Sequence, residues 1–264
     1  MAEQVVLRDE PAPGVVRLLI NRPDKRNAID YDVRQALIEH LSEISGDPGV
    51  RALVCGGVGG IFSAGGDVPS MVGLTEAQAR SRMAHIRQLC LSLAALPIPV
   101  VSALEGFAAG AAVGLALLGD HIVVGPGSKI LFPFMKLGLT PDWGTLRTLP
   151  ARVGLPCARS LLTSGQVLPG EEAVSLRLAD EFVTDGDIMA GALRRAIQMA
   201  QLPQEAFARM KQRLNHPSED LLSELKREED DQANLLLGAD FREGFSAFSA
   251  RRDPDFTLTA RLKV

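Results

Sequence analysis

Two short segments of glycine and alanine are the parts of this sequence best suited to chemistry: Ile61-Phe-Ser-Ala-Gly-Gly-Asp-Val68 and Glu105-Gly-Phe-Ala-Ala-Gly-Ala-Ala-Val-Gly114. Each follows an apolar run that reads as a strand, Ala52 to Cys55 and Ile98 to Ala103, and each leads into a run that reads as a helix. Residues with little or no side chain at such a bend let a ligand approach the peptide N–H groups closely. N–H groups from two separate turns can grip one developing oxyanion. That is acyl chemistry carried out without a nucleophilic serine, a metal or a phosphate loop.

Positioning these turns requires regular elements around them. Val15 to Ile20 reads as a buried strand that ends at Asn21-Arg-Pro-Asp24. Asp30 can cap a helix with Val33, Leu37, Leu41 and Ile44 on one face, stopped by Gly46-Asp-Pro-Gly49. After the strand Val50 to Cys55 and the first glycine segment, Thr75-Glu-Ala-Gln78 matches a capping box. It opens a helix with Met83, Ile86, Leu89 and Leu93 turned inward. Pro97 and Pro99 break the chain before the strand Val100 to Ala103, a helix from Ala111 to Leu118 and the strand His121 to Val124. This strand–turn–helix rhythm, kept up to about residue 150, predicts an α/β fold.

Beyond that point the pattern is helical. Short helices are expected near 158–162 and 171–178, an amphipathic one over 188–200, and another over 203–214 that starts at Pro203. Ser218 is expected to cap a longer helix, whose run Lys226 to Asp231 reads as a solvated face, and Phe241, Phe245 and Phe248 form an apolar stripe. A composition shift near Gly186 divides a core, 1–186, from a helical C-terminal region, 187–264.

The bulk properties narrow the partners. The 264 residues are 46% hydrophobic and carry a net charge of −4, which argues against nucleic acid or an anionic membrane as ligand. An anionic ligand would need a local basic cluster, and Arg22, Lys25 and Arg26 form one. Cys55, Cys90 and Cys157 are odd in number and follow no metal or redox spacing, which fits a reduced, cytoplasmic setting. His40, His121 and His216 are scattered, so no metal site is expected. The first ten residues alternate polar and apolar types and do not read as a signal peptide. The longest apolar run, Phe107 to Gly119, is too short to cross a bilayer and reads as a buried helix.

Taken in order, several segments resemble the crotonase superfamily, the enoyl-CoA hydratase/isomerase family: Asn21-Arg-Pro-Asp-Lys-Arg-Asn-Ala28, Phe62-Ser-Ala-Gly-Gly-Asp67, Glu105-Gly-Phe-Ala-Ala-Gly110, Leu137-Gly-Leu-Thr-Pro-Asp-Trp-Gly144, Leu162-Thr-Ser-Gly165 and Asp240-Phe-Arg-Glu-Gly-Phe245. The match runs from about residue 5 to 258. The resemblance implies a spiral of ββα units with a helical C-terminal subdomain, assembled as a homotrimer or a dimer of trimers. It implies an acyl-CoA thioester as substrate, with no cofactor beyond the coenzyme A of the substrate itself. The thioester carbonyl would sit between the N–H groups of Gly66 and Ala111. Ala64, Gly65, Asp67 and Val68 would meet the adenine and pantetheine, Ala28 and Gly110 would line the ligand, and Lys25 and Arg26 would approach the phosphates. Phe134 and Trp143 would wall the acyl pocket.

The resemblance also shows a departure. The family's hydratases use two glutamates, whose positions here are Gly114 and Phe134, and neither can transfer a proton. One acid remains in a suitable place, Asp142, where some family isomerases and a dehalogenase branch carry a catalytic aspartate. A lone base beside an oxyanion hole can move a double bond by taking a proton from one carbon and returning it at another. Asp142 also suits an N-cap for a helix starting near Trp143, whose N-terminus would favour the ionised carboxylate. Hydration or hydrolysis with water placed by Asp142 or by another group, and acyl-CoA binding without catalysis, stand as alternatives. Asp67 is expected to hydrogen-bond local backbone, His85 to pack, and Glu105 to be structural.

Overall fold

The computed structural model describes residues 4–257. Among the described residues nine strands and ten α-helices follow one another: β1 (Val6–Ala12), β2 (Val15–Ile20), α1 (Tyr31–Gly46), β3 (Ala52–Gly57), α2 (Glu76–Ala94), β4 (Val100–Ala103), β5 (Phe107–Ala109), α3 (Ala111–Leu117), β6 (His121–Val124), β7 (Lys129–Leu131), α4 (Thr145–Val153), α5 (Leu155–Ser164), β8 (Leu168–Pro169), α6 (Gly170–Ser175), β9 (Glu181–Phe182), α7 (Ile188–Met199), α8 (Gln204–Asn215), α9 (Leu221–Leu236) and α10 (Ala239–Ala250).

The larger sheet has the order β1-β2-β3-β4-β6-β9. From β2 to β9 every neighbour is parallel, and β1 closes one edge as an antiparallel partner of β2. Parallel strands covered on both faces need apolar side chains in both directions. Leu53, Val100 and Ile122 accordingly pack with α1, α2 and α3, while Val54, Val101 and Val123 pack under Ile188, Ala192 and Ala196 of α7. Helix α7, which the composition shift assigned to the C-terminal region, therefore covers one face of this sheet.

After β3, β4 and β6 the chain steps into a second layer. There Ser63 bridges Ala108 of β5 in parallel, β5 runs parallel to β7, and β8 pairs antiparallel with β7. Each step is one turn of a strand–strand–helix spiral, and the two glycine segments occupy adjacent turns. Phe62 N–H donates to the Glu105 carbonyl (2.8 Å), Ser63 N–H to the Phe107 carbonyl (3.0 Å) and Ala109 N–H to the Ser63 carbonyl (3.2 Å).

Local signals set the helix starts. Asp30 accepts from Val33 N–H at 3.0 Å, and Thr75 and Gln78 close both bonds of the capping box. Elsewhere the structure departs from expectation. Of the alternating N-terminal run, Val6 to Glu10 belong to the edge strand β1, and residues 1–3 lie outside the described residues. The run from Phe107 to Gly119 is not one helix: β5 takes its first three residues and α3 starts at Ala111. Every residue of α3 is buried, which only small and apolar side chains permit in so crowded a place.

Asp220, not Ser218, caps α9, accepting from Ser223 N–H at 2.9 Å. The Ser218 hydroxyl is already engaged by Arg227 (2.8 Å). Within the charge run of α9, Asp231 is not solvated alone, since it ties α9 to Arg209 and Arg213 of α8, both at 2.7 Å. Met83, expected inside, is 46% exposed, and Phe241, Phe245 and Phe248 are all exposed.

Candidate active site

The first glycine turn is held by its own backbone. Gly65 has φ +92°, and a Cβ there would stand 2.3 Å from the Ala109 carbonyl oxygen, so only glycine lets the two turns touch. The buried Ser63 hydroxyl donates to the Asn27 carbonyl (2.7 Å) and accepts from Gly65 N–H (3.0 Å). Asn27, also buried, donates to the carbonyls of Val58 and Ile61. Neighbouring donors are used up: Ala64 N–H bonds Arg26, Asp67 N–H bonds Ile29, and Gly110 N–H bonds Leu131. The N–H groups of Gly66 and Ala111 find no acceptor among the described residues. Ala111 is the first residue of α3, so its free N–H also carries the positive end of that short helix.

Asp142 enters the same cleft from the loop before α4. It does not cap that helix. Gly144 is the cap, and the contact from Thr145 N–H (3.0 Å) goes to the Asp142 main-chain carbonyl. The side-chain Oδ1 of Asp142 is buried with no hydrogen-bond partner. Burial lifts the carboxyl above the ordinary carboxylate range, against smaller opposing pulls from its own backbone N–H and from Arg82. The expectation of a carboxylate favoured in its ionised form by a helix terminus is thus reversed.

What fixes this loop is Trp143, a bulky residue at φ +53°. It packs onto Gly114, where a Cβ would lie 2.5 Å from Trp143 Cβ and 2.9 Å from Thr145 Oγ1. Gly114, where the resemblance puts the first hydratase glutamate, is therefore covered by the Asp142 loop. At the second, Phe134 is 6% exposed and stands over Gly110.

The cleft has a volume of about 500 Å³. Of the residues expected there, Ala64, Gly66, Val68, Gly110, Ala111, Phe134, Asp142 and Trp143 line it. Gly65 lies buried behind the turn. Lys25 and Arg26 are exposed on the next turn, make no ion pair among the described residues, and join the cleft through the Arg26 carbonyl that bonds Ala64. Ala28 is behind them, its carbonyl taken by Arg22 (2.7 Å). Asp67 does not bond local backbone through its side chain but faces Arg22 at 3.4 Å, and Arg22 also pairs with Asp30 at 2.9 Å. His85 packs away from the cleft, tilted on Tyr31 (4.6 Å between centroids) and against Arg34 and Gln35.

Among the lining residues that the sequence reading does not assign to the site, Arg82 is the charged one. Ala79, Arg82, Met83 and Ile86 all line the cleft and repeat at the i, i+3, i+4, i+7 spacing of one helix face. The sequence carries that stripe, but its apolar pattern alone reads Met83 as core and gives Arg82 no role. Among the lining residues Asp142 is the one acid and Arg82 the one cation. Nearby Cys90 is no nucleophile, because burial pushes its thiol up to about 12.

The family model for enoyl-CoA hydratase/isomerase matches residues 10–259. The chain belongs to the enoyl-CoA hydratase/isomerase family. Among its relatives, 1,2-epoxyphenylacetyl-CoA isomerase of Escherichia coli is 34% identical, with 92% of this chain and 95% of that protein aligned. Mitochondrial methylglutaconyl-CoA hydratase of Mus musculus is 30% identical, with 94% and 81% aligned. The crystal structure of an enoyl-CoA hydratase from Bacillus anthracis superposes with a TM-score of 0.90 at 25% identity, covering 96% of this chain and 99% of that one. The enoyl-CoA hydratase/isomerase fold expected from the motifs is therefore the fold observed. No helix among the described residues is long and apolar enough to cross a membrane.

Proposed function

We propose that this chain is an acyl-CoA isomerase that shifts a double bond with one carboxylate. The observation that carries the reading is the unpartnered, buried Oδ1 of Asp142 in the same cleft as the two free N–H groups of Gly66 and Ala111. Asp142 takes a proton from the carbon next to the thioester. The electron pair moves into the carbonyl, and the resulting enolate oxygen accepts from both N–H groups. The double bond then forms between the second and third carbons as the protonated Asp142 returns the proton to the fourth. A carboxyl whose affinity for protons is raised by burial serves both half-steps better than an ordinary one.

Water addition by two glutamates finds no support, since Gly114 and Phe134 hold those positions and the loop of Asp142 occupies the space beside Gly114. In this reading Lys25 and Arg26 meet the phosphates of coenzyme A, and the exposed Phe241, Phe245 and Phe248 serve subunit packing in a trimer or dimer of trimers. The decisive assay offers 3-enoyl-CoA and 2-enoyl-CoA separately. Double-bond migration is expected, falling about 10²–10⁴-fold in Asp142→Asn. Hydration of 2-enoyl-CoA at an undiminished rate in that variant would overturn the assignment, as would tight binding of both esters without turnover.

A further inference from the structure

Arg82 forms no ion pair among the described residues, and Asp142, Asp67 and Asp30 act on it only from beyond pairing distance. It is half-buried on the cleft face of α2, and no carboxylate among the described residues lies within ion-pair distance. Its Nη1 donates to the Ser70 hydroxyl at 3.1 Å. Its Nη2 lies 3.8 Å from the point where a Cβ on Gly66 would stand, so the guanidinium leans over the turn that carries a free N–H. The two acids closest behind that turn, Asp67 and Asp30, are committed to Arg22. Asp142 is in the cleft but beyond pairing distance. The remaining surroundings are largely apolar, among them Met71, Leu74, Met83, Ile86 and Phe134.

A plain hydrocarbon chain entering this space would strip water from the guanidinium and give nothing back, and an unpaired buried charge is costly. An oxygen acceptor would take its fork of donors instead. We propose that the cleft takes an acyl group bearing an oxygen acceptor, a carboxylate or a carbonyl, held by Arg82. The inference rests on the acyl-CoA reading above but not on the direction of its chemistry.

The test is calorimetric binding of saturated esters to the full chain: pentanoyl-CoA against glutaryl-CoA, which replaces the terminal methyl by a carboxylate, and against 4-oxopentanoyl-CoA, which adds a carbonyl. At least one oxygenated ester is expected to bind tenfold or more tightly than pentanoyl-CoA, and which one it is separates carboxylate from carbonyl. That ratio should fall below threefold in Arg82→Met and be partly kept in Arg82→Lys. Pentanoyl-CoA binding as tightly as both others would overturn the proposal, and so would a ratio that survives Arg82→Met. If Arg82→Met fails to fold, the wild-type comparison still decides, with Arg82→Gln as the second variant. Because these esters do not turn over, a failed isomerase assay leaves the result standing. If none of the three esters binds, the acyl-CoA reading falls, and this inference with it.

Discussion

The turn from Ser63 to Asp67 and the loop from Gly138 to Gly144 bring chemistry to the same cleft by opposite means. The turn is built from main chain: its carbonyls and N–H groups are bonded to β5, to Ile29 and to the segment around Asn27, and what it offers a ligand is another main-chain group. The loop is built from side chains: Trp143 seated on Gly114 sets its path, and what it offers is a carboxylate whose properties come from what surrounds it. A backbone device depends on local conformation and tolerates changes in nearby side chains. A side-chain device depends on packing partners distant in sequence and is sensitive to a single methyl group.

Beside the Asp142→Asn assay, the larger effect should come from deleting one main-chain donor. Ala111→Pro removes the N–H at the first position of α3, a place where proline fits a helix. Turnover is expected to drop about 10²–10³-fold, with the melting temperature little changed. An equal loss of fold would show that the start of α3, which faces that turn, is not a separable main-chain device. Gly114→Ala attacks the loop instead. Overpacking of this kind costs about 1–3 kcal/mol, read as a lower denaturation midpoint together with a loss of activity. Unchanged stability would mean that Trp143 moves freely.

Subtler effects concern charge. Turnover should rise as pH rises through the elevated range of Asp142, because the base must be ionised. Arg82 favours the ionised form, so Arg82→Met should move this acid limb to higher pH. A limb that stays in place would separate the two residues electrically. Last, a carboxyl with raised proton affinity in the folded state makes that state less stable as pH rises above the ordinary carboxylate range. Asp142→Asn should therefore match or slightly exceed the parent in melting temperature at neutral pH, and the gain should fade in acid.

These same contrasts explain what could be read in advance. The caps at Asp30 and Thr75 and both glycine turns were legible because their signals lie within a few residues of the structure they make. The fold was legible through six short segments in the expected order. Asp142 could be named as the remaining acid, but whether it capped a helix or faced a cleft depended on Trp143 and Gly114, nearly thirty residues apart in sequence. Met83 reads as core and Arg82 goes unassigned for a related reason. A helix with core on one side and a cleft on another shows two stripes, and hydrophobicity alone does not say which is which.

The seating of Trp143 on Gly114 has a historical consequence. Glycine and glutamate codons can differ by one base, yet a lineage with this loop cannot acquire a working acid at position 114 by that change alone. The loop would have to retreat first, and its retreat would carry off Asp142. On the proposed reading, the two designs are separated by a valley in which neither acid is in place.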